Sequence, residues 1–169
     1  MMIKKERDPD MRLPVELLVE RYKDNLYAAA FNVCRNTADA EDVTQDTFLQ
    51  YHYSARDYES EQHIRAWLLR VAINRAKNIT RSFWNRNKVD LEDYMESLTF
   101  ETPQAEDLFE TVMKLPEQYR IVTHLFYYED QSVREIAGTL GVSENNVKVR
   151  LTRARQMLKL QLGEEWKDD

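Results

Sequence analysis

The sequence predicts an all-α protein of two small helical domains, an N-terminal helical bundle and a C-terminal helix-turn-helix domain, joined by an acidic linker. Three observations lead to this fold class. The 169-residue chain has only three glycines and four prolines, so helix breakers are scarce. Apolar residues recur at spacings of three and four, and no segment shows the period of two that is typical of a strand. One acidic stretch interrupts the helical pattern between residues 89 and 107.

The composition excludes several classes of protein. With 43% hydrophobic and 32% charged residues and no apolar run of about 20, the chain is expected to be soluble, cytoplasmic and not inserted in a membrane. The single cysteine, Cys34, has no partner for an internal disulfide and is predicted to be a buried packing residue. Three glycines cannot build a glycine-rich phosphate loop, which argues against nucleotide hydrolysis. We predict no catalytic residue, no metal site and no cofactor.

The N-terminal half contains three predicted helices. Residues 1–12 are assigned to a flexible tail and 13–88 to the first domain. The first helix begins at Pro14, a residue that favours helix starts, and runs to about Asn36. Its apolar side carries residues at helical spacing: Leu17, Leu18, Tyr22, Leu26, Ala29 and Val33.

A second helix, from about Ala38 to Tyr53, has two unlike faces. The side expected to be buried carries Ala40, Val43, Thr47 and Tyr51. The opposite side carries Asp42, Gln45, Asp46 and Leu49. An exposed leucine among carboxylates and an amide indicates a protein-docking patch, since the carboxylates would repel nucleic acid. The alternative is a solvated acidic face with one stray leucine.

A third helix, from about Glu61 to Phe83, carries most of a cationic stretch. Residues 64–88 hold seven Lys or Arg and no Asp or Glu, although the chain has a net charge of −6. Arg70, Asn74, Lys77 and Arg81 fall on one face, bordered by Trp67 and Asn78. Such a local field favours a polyanion. The nearby aromatic residues Tyr58, Trp67, Phe83 and Trp84 suit unstacked bases, although core packing is the alternative for each ring.

The acidic linker is placed at residues 89–104, and the second domain at 105–169. The segment "VDLEDYMESLTFETPQAED" has seven acids, no base and little sustained periodicity. It is interpreted either as a solvated connection or as a segment that threads along a partner. Helical pattern resumes near Ala105 and breaks at Leu115-Pro116.

The C-terminal half has the sequence pattern of a helix-turn-helix. Ser132 and Glu135 have the spacing of a capping box, which starts a helix. Gly141 can adopt the positive φ of the tight turn, and Ser143 can cap the next helix. Together these signals predict two short helices that cross at a turn.

The second helix of this unit presents a polar face for duplex DNA. Its buried stripe is predicted to be Val147, Leu151, Ala154 and Leu158. The predicted DNA-binding residues are Asn145, Asn146, Lys148, Val149, Arg150, Thr152, Arg153 and Arg155, with Gln156 on the same outward side. Amide and methyl groups can read base edges while the flanking cations contact phosphates. A solvated face on an ordinary helical hairpin is the alternative.

Three of these segments together resemble one protein family. "DAEDVTQDTFLQYH", "AWLLRVAINRAKN" and "LPEQYRIVTHLFYYEDQSVREIAGTLGVSENNVKVRLTRARQML" are similar, in order and spacing, to bacterial RNA polymerase sigma factors of the extracytoplasmic function (ECF) group. The resemblance runs from about Val15 to Leu162. It implies that the first domain is sigma domain 2, which binds core polymerase and the melted minus-ten element. The second would be sigma domain 4, which binds the minus-thirty-five element as duplex.

The resemblance also assigns roles to residues. It gives Asp42, Gln45, Asp46 and Leu49 the contact with the clamp of the largest polymerase subunit, and domain 4 the flap of the second largest. The minus-ten set is Tyr58, Trp67, Arg70, Asn74, Lys77, Asn78 and Arg81, of which Tyr58, Asn74 and Asn78 match a pocket for a flipped base. Lys148, Val149 and Arg153 match the major-groove readers. The linker is similar to the family's segment along the RNA and template channel. Family members are commonly held inactive by an anti-sigma factor, a possible further partner.

Two other classes of function are considered. A stand-alone helix-turn-helix transcriptional regulator would explain the C-terminal unit, but it leaves the face with Gln45 and Leu49 without a role. An enzyme is disfavoured because His52, His63 and His124 lack metal-ligand spacing, and each is expected to be a surface or packing residue. The sequence therefore predicts an alternative sigma factor for promoter recognition, promoter melting and transcription initiation.

Overall fold

The computed structural model describes residues 12–82, 90–163 and 166. Across these ranges the regular structure is entirely helical, which confirms the all-α prediction. The helices are α1 (Val15–Cys34), α2 (Thr37–Tyr53), α3 (Glu61–Ser82), α4 (Asp90–Glu96), α5 (Pro103–Met113), α6 (Glu117–Tyr127), α7 (Val133–Leu140) and α8 (Glu144–Leu162). The predicted tail, apart from Arg12, lies outside the described residues, as do Phe83 and Trp84.

Helices α1, α2 and α3 form the N-terminal bundle, as predicted. Pro14 precedes α1, and Arg35 ends it in the left-handed conformation, with φ 53°. The Asn36 side chain then caps α2 by accepting a hydrogen bond from the Asp39 amide, so the two helices are joined by a very short connection. At the other end of α2, Arg12 donates to the exposed carbonyls of Tyr51 and His52. Cys34 is only half-buried, and burial raises the pKa of its thiol to about 11.

The acidic segment at residues 89–104, in which the sequence shows little sustained periodicity, contains the helix α4. Leu91, Tyr94, Met95 and Leu98 follow helical spacing within the acidic run, and all four pack against the core. Tyr94 is buried, with its ring centroid 4.3 Å from that of Phe31. The many carboxylates hid this short apolar pattern, which becomes helical because α1 offers it an aromatic surface.

The caps of α7 and α8 lie where the local signals predict, whereas α5 begins at Pro103, two residues before the predicted return of helix near Ala105. Thr102 caps α5 and Pro103 occupies its first turn. Ser132 and Glu135 form the complete capping box of α7, Gly141 closes α7 with φ 68°, and Ser143 caps α8. The two helices of the helix-turn-helix are thus fixed by local hydrogen bonds.

One hydrophobic core runs through both halves of the chain. Residues of α1, such as Phe31, belong to the same buried cluster as Tyr94 of α4, Leu125 of α6 and Ile136 of α7. A smaller cluster lies between α5, α6 and α8 and contains Leu158. Helix α1 packs on α6, and α3 packs on α7. Among the described residues, none of the helices is both long enough and apolar enough to cross a membrane.

Candidate polymerase and nucleic-acid interfaces

The outward side of α2 is the predicted docking patch, and the structure leaves it accessible. Asp42, Gln45 and Asp46 are exposed, and Leu49 keeps 51% of its surface in solvent. The opposite side of the helix is buried, as predicted. Arg75 of α3 lies at the edge, with Nη1 3.7 Å from the Asp46 carboxylate. The patch therefore combines an apolar side chain with carboxylates that retain water.

A groove between α1 and α2 continues this patch. It measures about 430 Å³, and its walls combine apolar side chains with charged and amide groups. They include Val19 and Lys23 from α1 and Gln45 and Phe48 from α2. The sequence pattern of α2 alone could not show Lys23, because that residue comes from another helix. Gln45 therefore belongs both to the exposed patch and to the wall of this groove.

The cationic face of α3 points outward, as predicted. Arg70, Asn74 and Asn78 are exposed and Lys77 is half-buried, while Leu68, Leu69, Ala72, Ile73 and Ala76 are in the core. Arg81 lies in the last turn of α3, but its side chain is outside the described part of the chain. The outward polar stripe exists because the apolar residues of this helix fill the seam against α1 and α2.

The aromatic residues beside this face divide between core and surface. Tyr58 is 4% exposed, and its ring packs 5.6 Å from Tyr51 and 5.8 Å from Trp67, measured between centroids. Burial raises the pKa of the Tyr58 hydroxyl. Tyr58 is therefore packed in the core in this structure, which is the alternative given for each ring, because its faces are covered. Trp67 is half-buried and keeps part of its surface for a ligand.

The loop before α3 is ordered by hydrogen bonds that the sequence did not predict. Ser60 Oγ accepts from the His63 amide at 3.1 Å, and His63 Nδ1 accepts from the Glu59 amide at 3.1 Å. Glu61 accepts from Arg21 and, at 2.9 Å, from Tyr22. The hydrogen bond from Arg21 is the main reason that the pKa of Glu61 is lowered. His63 is thus a positioning residue of this loop.

The recognition face of α8 is displayed as predicted. Val147, Leu151, Ala154 and Leu158 are at most 2% exposed, whereas the outward residues are accessible. Exposed positions are Asn145, Asn146, Lys148, Val149, Thr152, Arg153 and Gln156, and Arg150 is half-buried. Arg155 differs: its Nε donates to the Tyr127 hydroxyl at 3.0 Å, and its guanidinium lies 5.3 Å from the Phe126 ring centroid. In this structure Arg155 joins α8 to α6.

A polar groove of about 400 Å³ lies between the start of α6 and the first turns of α8. Gln118 and Tyr119 form one wall, and Asn145, Val149 and Arg153 contribute to the other. The predicted set did not include Gln118, because it lies 25 or more residues before the recognition helix. Its exposed amide lies at this edge, beside the predicted DNA-binding residues.

A buried carboxylate, missed by the sequence analysis, links the two halves of the molecule. Glu129, which follows α6, is 1% exposed. It accepts from Asn25 of α1 at 3.0 Å and from Arg65 of α3 at 2.9 Å, and His124 Nε2 lies 3.3 Å from its other oxygen. Burial alone would raise the pKa of Glu129, but His124, Asn25 and Arg65 outweigh it, so the pKa is lowered.

The comparisons with known proteins agree with this geometry. The family model for Sigma-70 region 2 matches residues 18–86, and the model for Sigma-70 region 4 matches residues 105–158. The ECF RNA polymerase sigma factor SigL of Mycobacterium tuberculosis is 30% identical over 155 residues, which cover 87% of this chain and 88% of that protein. The chain belongs to the ECF sigma factor family. The sigma factor SigV of Bacillus subtilis is 28% identical, over 85% of this chain and 88% of SigV.

Solved structures of sigma factors share the fold. CnrH, in complex with the cytosolic domain of CnrY, matches with a TM-score of 0.64 and 28% identity, over 90% of this chain and 89% of CnrH. RpoE of Bartonella quintana, in complex with the anti-sigma factor NepR, matches with a TM-score of 0.69 and 19% identity, over 89% and 98%. At that identity the second likeness shows the fold alone. The prediction of a sigma factor that directs transcription initiation is therefore confirmed.

Sigma factors as a family are initiation factors rather than enzymes. Among the residues that the structure describes, no group of three or more His, Cys, Asp or Glu residues is placed to hold a metal ion.

Proposed function

We propose that this ECF sigma factor uses three separate surfaces in initiation. The α2 patch of Asp42, Gln45, Asp46 and Leu49 docks on core polymerase. The outward face of α3 holds the unpaired strand of the minus-ten element, and the outward face of α8 reads the minus-thirty-five element as duplex. The domain limits 13–88 and 105–169, with residues 89–104 between them, describe this division. No chemical step is assigned to the chain.

The exposure of the polar side of α8 is the observation that supports the proposal most directly. The four residues of its apolar stripe are at most 2% exposed. Because that side of the helix is packed in the core, Lys148, Val149 and Arg153 must face outward. A guanidinium can donate two hydrogen bonds to a guanine edge, whereas Val149 offers methyl groups to thymine. Lys148 supplies a phosphate contact. The arrangement fits the major groove, which accommodates one α-helix.

The α3 face supports the minus-ten role by a different chemistry. Arg70 and Lys77 provide positive charge for the backbone, and the amides of Asn74 and Asn78 can pair with the edge of an unstacked base. Extrusion of such a base from the stack costs a few kcal/mol. Attraction by the local positive charge and hydrogen bonds to the base offset this cost. The ring of Trp67, at the edge of this face, supports stacking.

The partners and the place of action follow from these surfaces. Core polymerase is expected to bind α2 through its clamp and domain 4 through its flap. Both the polymerase and promoter DNA are in the cytoplasm, which is the expected place of action. CnrH and RpoE were solved in complexes, one with the cytosolic domain of CnrY and the other with an anti-sigma factor. We include an anti-sigma factor among the partners of this chain.

Run-off transcription with core polymerase on a promoter library tests the function. We expect transcripts only when this chain is added, and selected promoters with two separate conserved elements. Gln45→Ala with Leu49→Ala should weaken association with core polymerase in a pull-down, whereas Lys159→Ala, an exposed change late in α8, should not. A chain that leaves core polymerase unbound and the library silent would refute the proposal.

Two single variants separate the DNA surfaces. Arg153→Ala should weaken binding to duplex minus-thirty-five DNA by about 1–3 kcal/mol if its guanidinium contacts a base edge. Asn74→Ala should reduce open-complex formation without changing that duplex affinity. Fluorescence anisotropy measures the first and permanganate footprinting the second. Equal losses in both assays for both variants would contradict the assignment of separate roles.

A further inference from the structure

A cavity of about 690 Å³ lies where α1 meets α4, α5 and the end of α6. Cavities of this size commonly hold small molecules. The described residues that line it include none from α2, α3 or α8, so it is separate from the surfaces proposed for polymerase and DNA. Several of its side chains are exposed, among them Asp24, Thr99 and Tyr128. The cavity is therefore open to a ligand from solution.

Five tyrosine and phenylalanine rings line this cavity and contact one another. Tyr94 of α4 lies 5.4 Å from Tyr27 of α1 and 6.0 Å from Phe109 of α5, measured between ring centroids. Phe109 lies 5.5 Å from Phe100 and 6.1 Å from Tyr128. The face of an aromatic ring carries partial negative charge, so such a group of rings attracts cations as well as apolar groups.

Two carboxylates lie among these rings, and the described residues of the lining include no Lys or Arg. Glu129 is paired with Arg65, which is not part of the lining. Asp24 is exposed and, within residues 12–82 and 90–163, forms no salt bridge. The lining therefore has a negative charge with which no cation in the described part of the chain is paired.

The Tyr94 hydroxyl lies within electrostatic reach of both carboxylates. Burial is the main reason that the pKa of this hydroxyl is raised, and Tyr27, Asp24 and Glu129 raise it further. Nearby negative charge has this effect because it opposes the formation of a phenolate. The hydroxyl therefore stays neutral, and its oxygen can accept a hydrogen bond from an ammonium group near the two carboxylates.

The acidic stretch between residues 89 and 107 builds one wall of the cavity, which includes Tyr94 and Phe100. This stretch has seven acids and no base, and Glu92, Glu96 and Glu101 are exposed. Clustered carboxylates attract cations toward a nearby cleft and repel anions. The charge of this stretch therefore favours a cationic ligand over a neutral or an anionic one.

We propose that this cavity binds a small organic cation that has an apolar group. The ammonium group of the ligand lies beside Asp24, Glu129 and Tyr94. Its apolar group packs on the rings of Phe100 and Phe109. A metal ion fits less well, because it needs several oxygen ligands and would leave the rings without a partner. The ligand contacts α1 as well as the chain after residue 93, so its binding adds to the stability of the folded protein.

Three probes with the same phenyl group test the site. Phenethylammonium, phenethyl alcohol and phenylacetate are added to the full chain at constant ionic strength, and saturation-transfer NMR gives a dissociation constant for each. We expect phenethylammonium to bind at least about tenfold more tightly than the alcohol, and phenylacetate to bind most weakly. Phenethylammonium should also raise the unfolding temperature. No binding of phenethylammonium, or equal binding of the cation and the alcohol, would overturn the inference.

Two variants of α1 locate the bound cation. Asp24→Asn should weaken the binding of phenethylammonium by about threefold or more and leave the alcohol unchanged. Glu20→Gln is the matched control, because it removes the same charge at an exposed position one turn earlier that does not line the cavity. Equal effects of the two changes would show that the cation binds elsewhere. The assay contains no polymerase or DNA, so its result is independent of the function proposed above.

Discussion

At the scale of single residues, two arginines cap helices that belong to the opposite half of the molecule. Arg120 of α6 donates to carbonyls at the end of α1. Arg35, which ends α1, donates to the carbonyl of Met113, the last residue of α5, and to that of Leu115 just after the helix. The Leu115 carbonyl also accepts from Arg120 at 3.0 Å. Burial, and then the nearby Arg35, lowers the pKa of Arg120 to about 10, so this side chain stays charged at neutral pH. Guanidinium groups suit the site because they donate several hydrogen bonds in fixed directions.

Replacement of Arg120 by methionine should destabilise the whole chain. The change keeps most of the side-chain volume but leaves main-chain carbonyls of α1 buried without donors, which costs about 1–3 kcal/mol. Urea denaturation followed by circular dichroism measures the loss. Arg134→Met, at an exposed position on α7, is the control and should stay within about 0.5 kcal/mol of the wild type. Similar losses for both variants would show that the buried hydrogen bonds of Arg120 do not matter.

At the scale of elements, α7 contains two glycines whose roles differ. Gly141 ends the helix with φ 68°, whereas Gly138 lies inside it without a positive φ. A Cβ at either position would meet no atom within 4 Å. The consequences of adding one therefore depend on backbone conformation alone.

Alanine at these two glycines should change stability in opposite directions. Gly141→Ala forces an L-residue into the left-handed region and should cost about 1 kcal/mol. Gly138→Ala removes the flexibility of a helix interior and should add about 0.5–1 kcal/mol. Thermal unfolding of the two variants beside the wild type provides the measurement. A loss at both positions would mean that α7 tolerates no added methyl group, contrary to the open space around Gly138.

Helix α4 is an element whose existence depends on its neighbour. Tyr94 contacts the rings of Tyr27, Phe31 and Phe109, with centroids 5.4, 4.3 and 6.0 Å away. A seven-residue helix is too short to persist in water without such contacts. Tyr94 is the most buried of the side chains that dock α4 on the core.

Tyr94→Ala should release α4 from α1. We expect hydrogen exchange of the amides from 91 to 98 to become faster by at least about tenfold, because removal of a buried ring costs several kcal/mol and local unfolding becomes easier. Mass spectrometry after peptic digestion measures the exchange. Glu92→Ala, at an exposed position of the same helix, should leave the rate nearly unchanged. Slow exchange in the Tyr94 variant would show that other contacts hold the helix.

The sequence predicted those features that have local causes. The capping box of Ser132 and the turn at Gly141 depend on residues within four positions, and the buried stripes of α2 and α8 follow from helical periodicity. Glu129 could not be predicted, because its partners Arg65 and Asn25 are 64 and 104 residues away in the sequence. The docking of α4 on α1 could not be predicted for the same reason. The resemblance to sigma factors supplied roles for single residues, but not the packing of one domain on the other.

At the scale of the whole molecule, a continuous core joins the two halves of the chain. Phe31 and Leu125 lie in one buried cluster although they come from different halves of the chain. The apolar contacts between the halves stabilise this packing without directional preference, whereas the network around Glu129 requires one geometry. The folding of the two halves is therefore coupled, and a change that weakens the contacts between them should lower the free energy of unfolding of the whole chain.

The coupling should be visible as a dependence of stability on pH. The pKa of Glu129 is lower in the folded chain than in the unfolded chain, since His124, Asn25 and Arg65 favour the carboxylate more than burial opposes it. A lowered folded pKa adds stability above the unfolded pKa, near 4.5, and that stability is lost as pH falls through the folded pKa. The Glu129→Gln variant has no ionisable group at this position but keeps the size of the side chain.

We therefore expect the free energy of unfolding of the wild type to exceed that of Glu129→Gln at pH 5 and above. Below that the difference should shrink. Urea denaturation of both proteins at several pH values measures this difference. Because both proteins share the carboxylates outside the network, such as Glu61, which is paired with Arg21, the difference does not contain their titration. A difference that stays constant down to pH 3 would mean that Glu129 is not held as a carboxylate by its partners. The junction between the domains would then depend on apolar packing and the arginine caps alone.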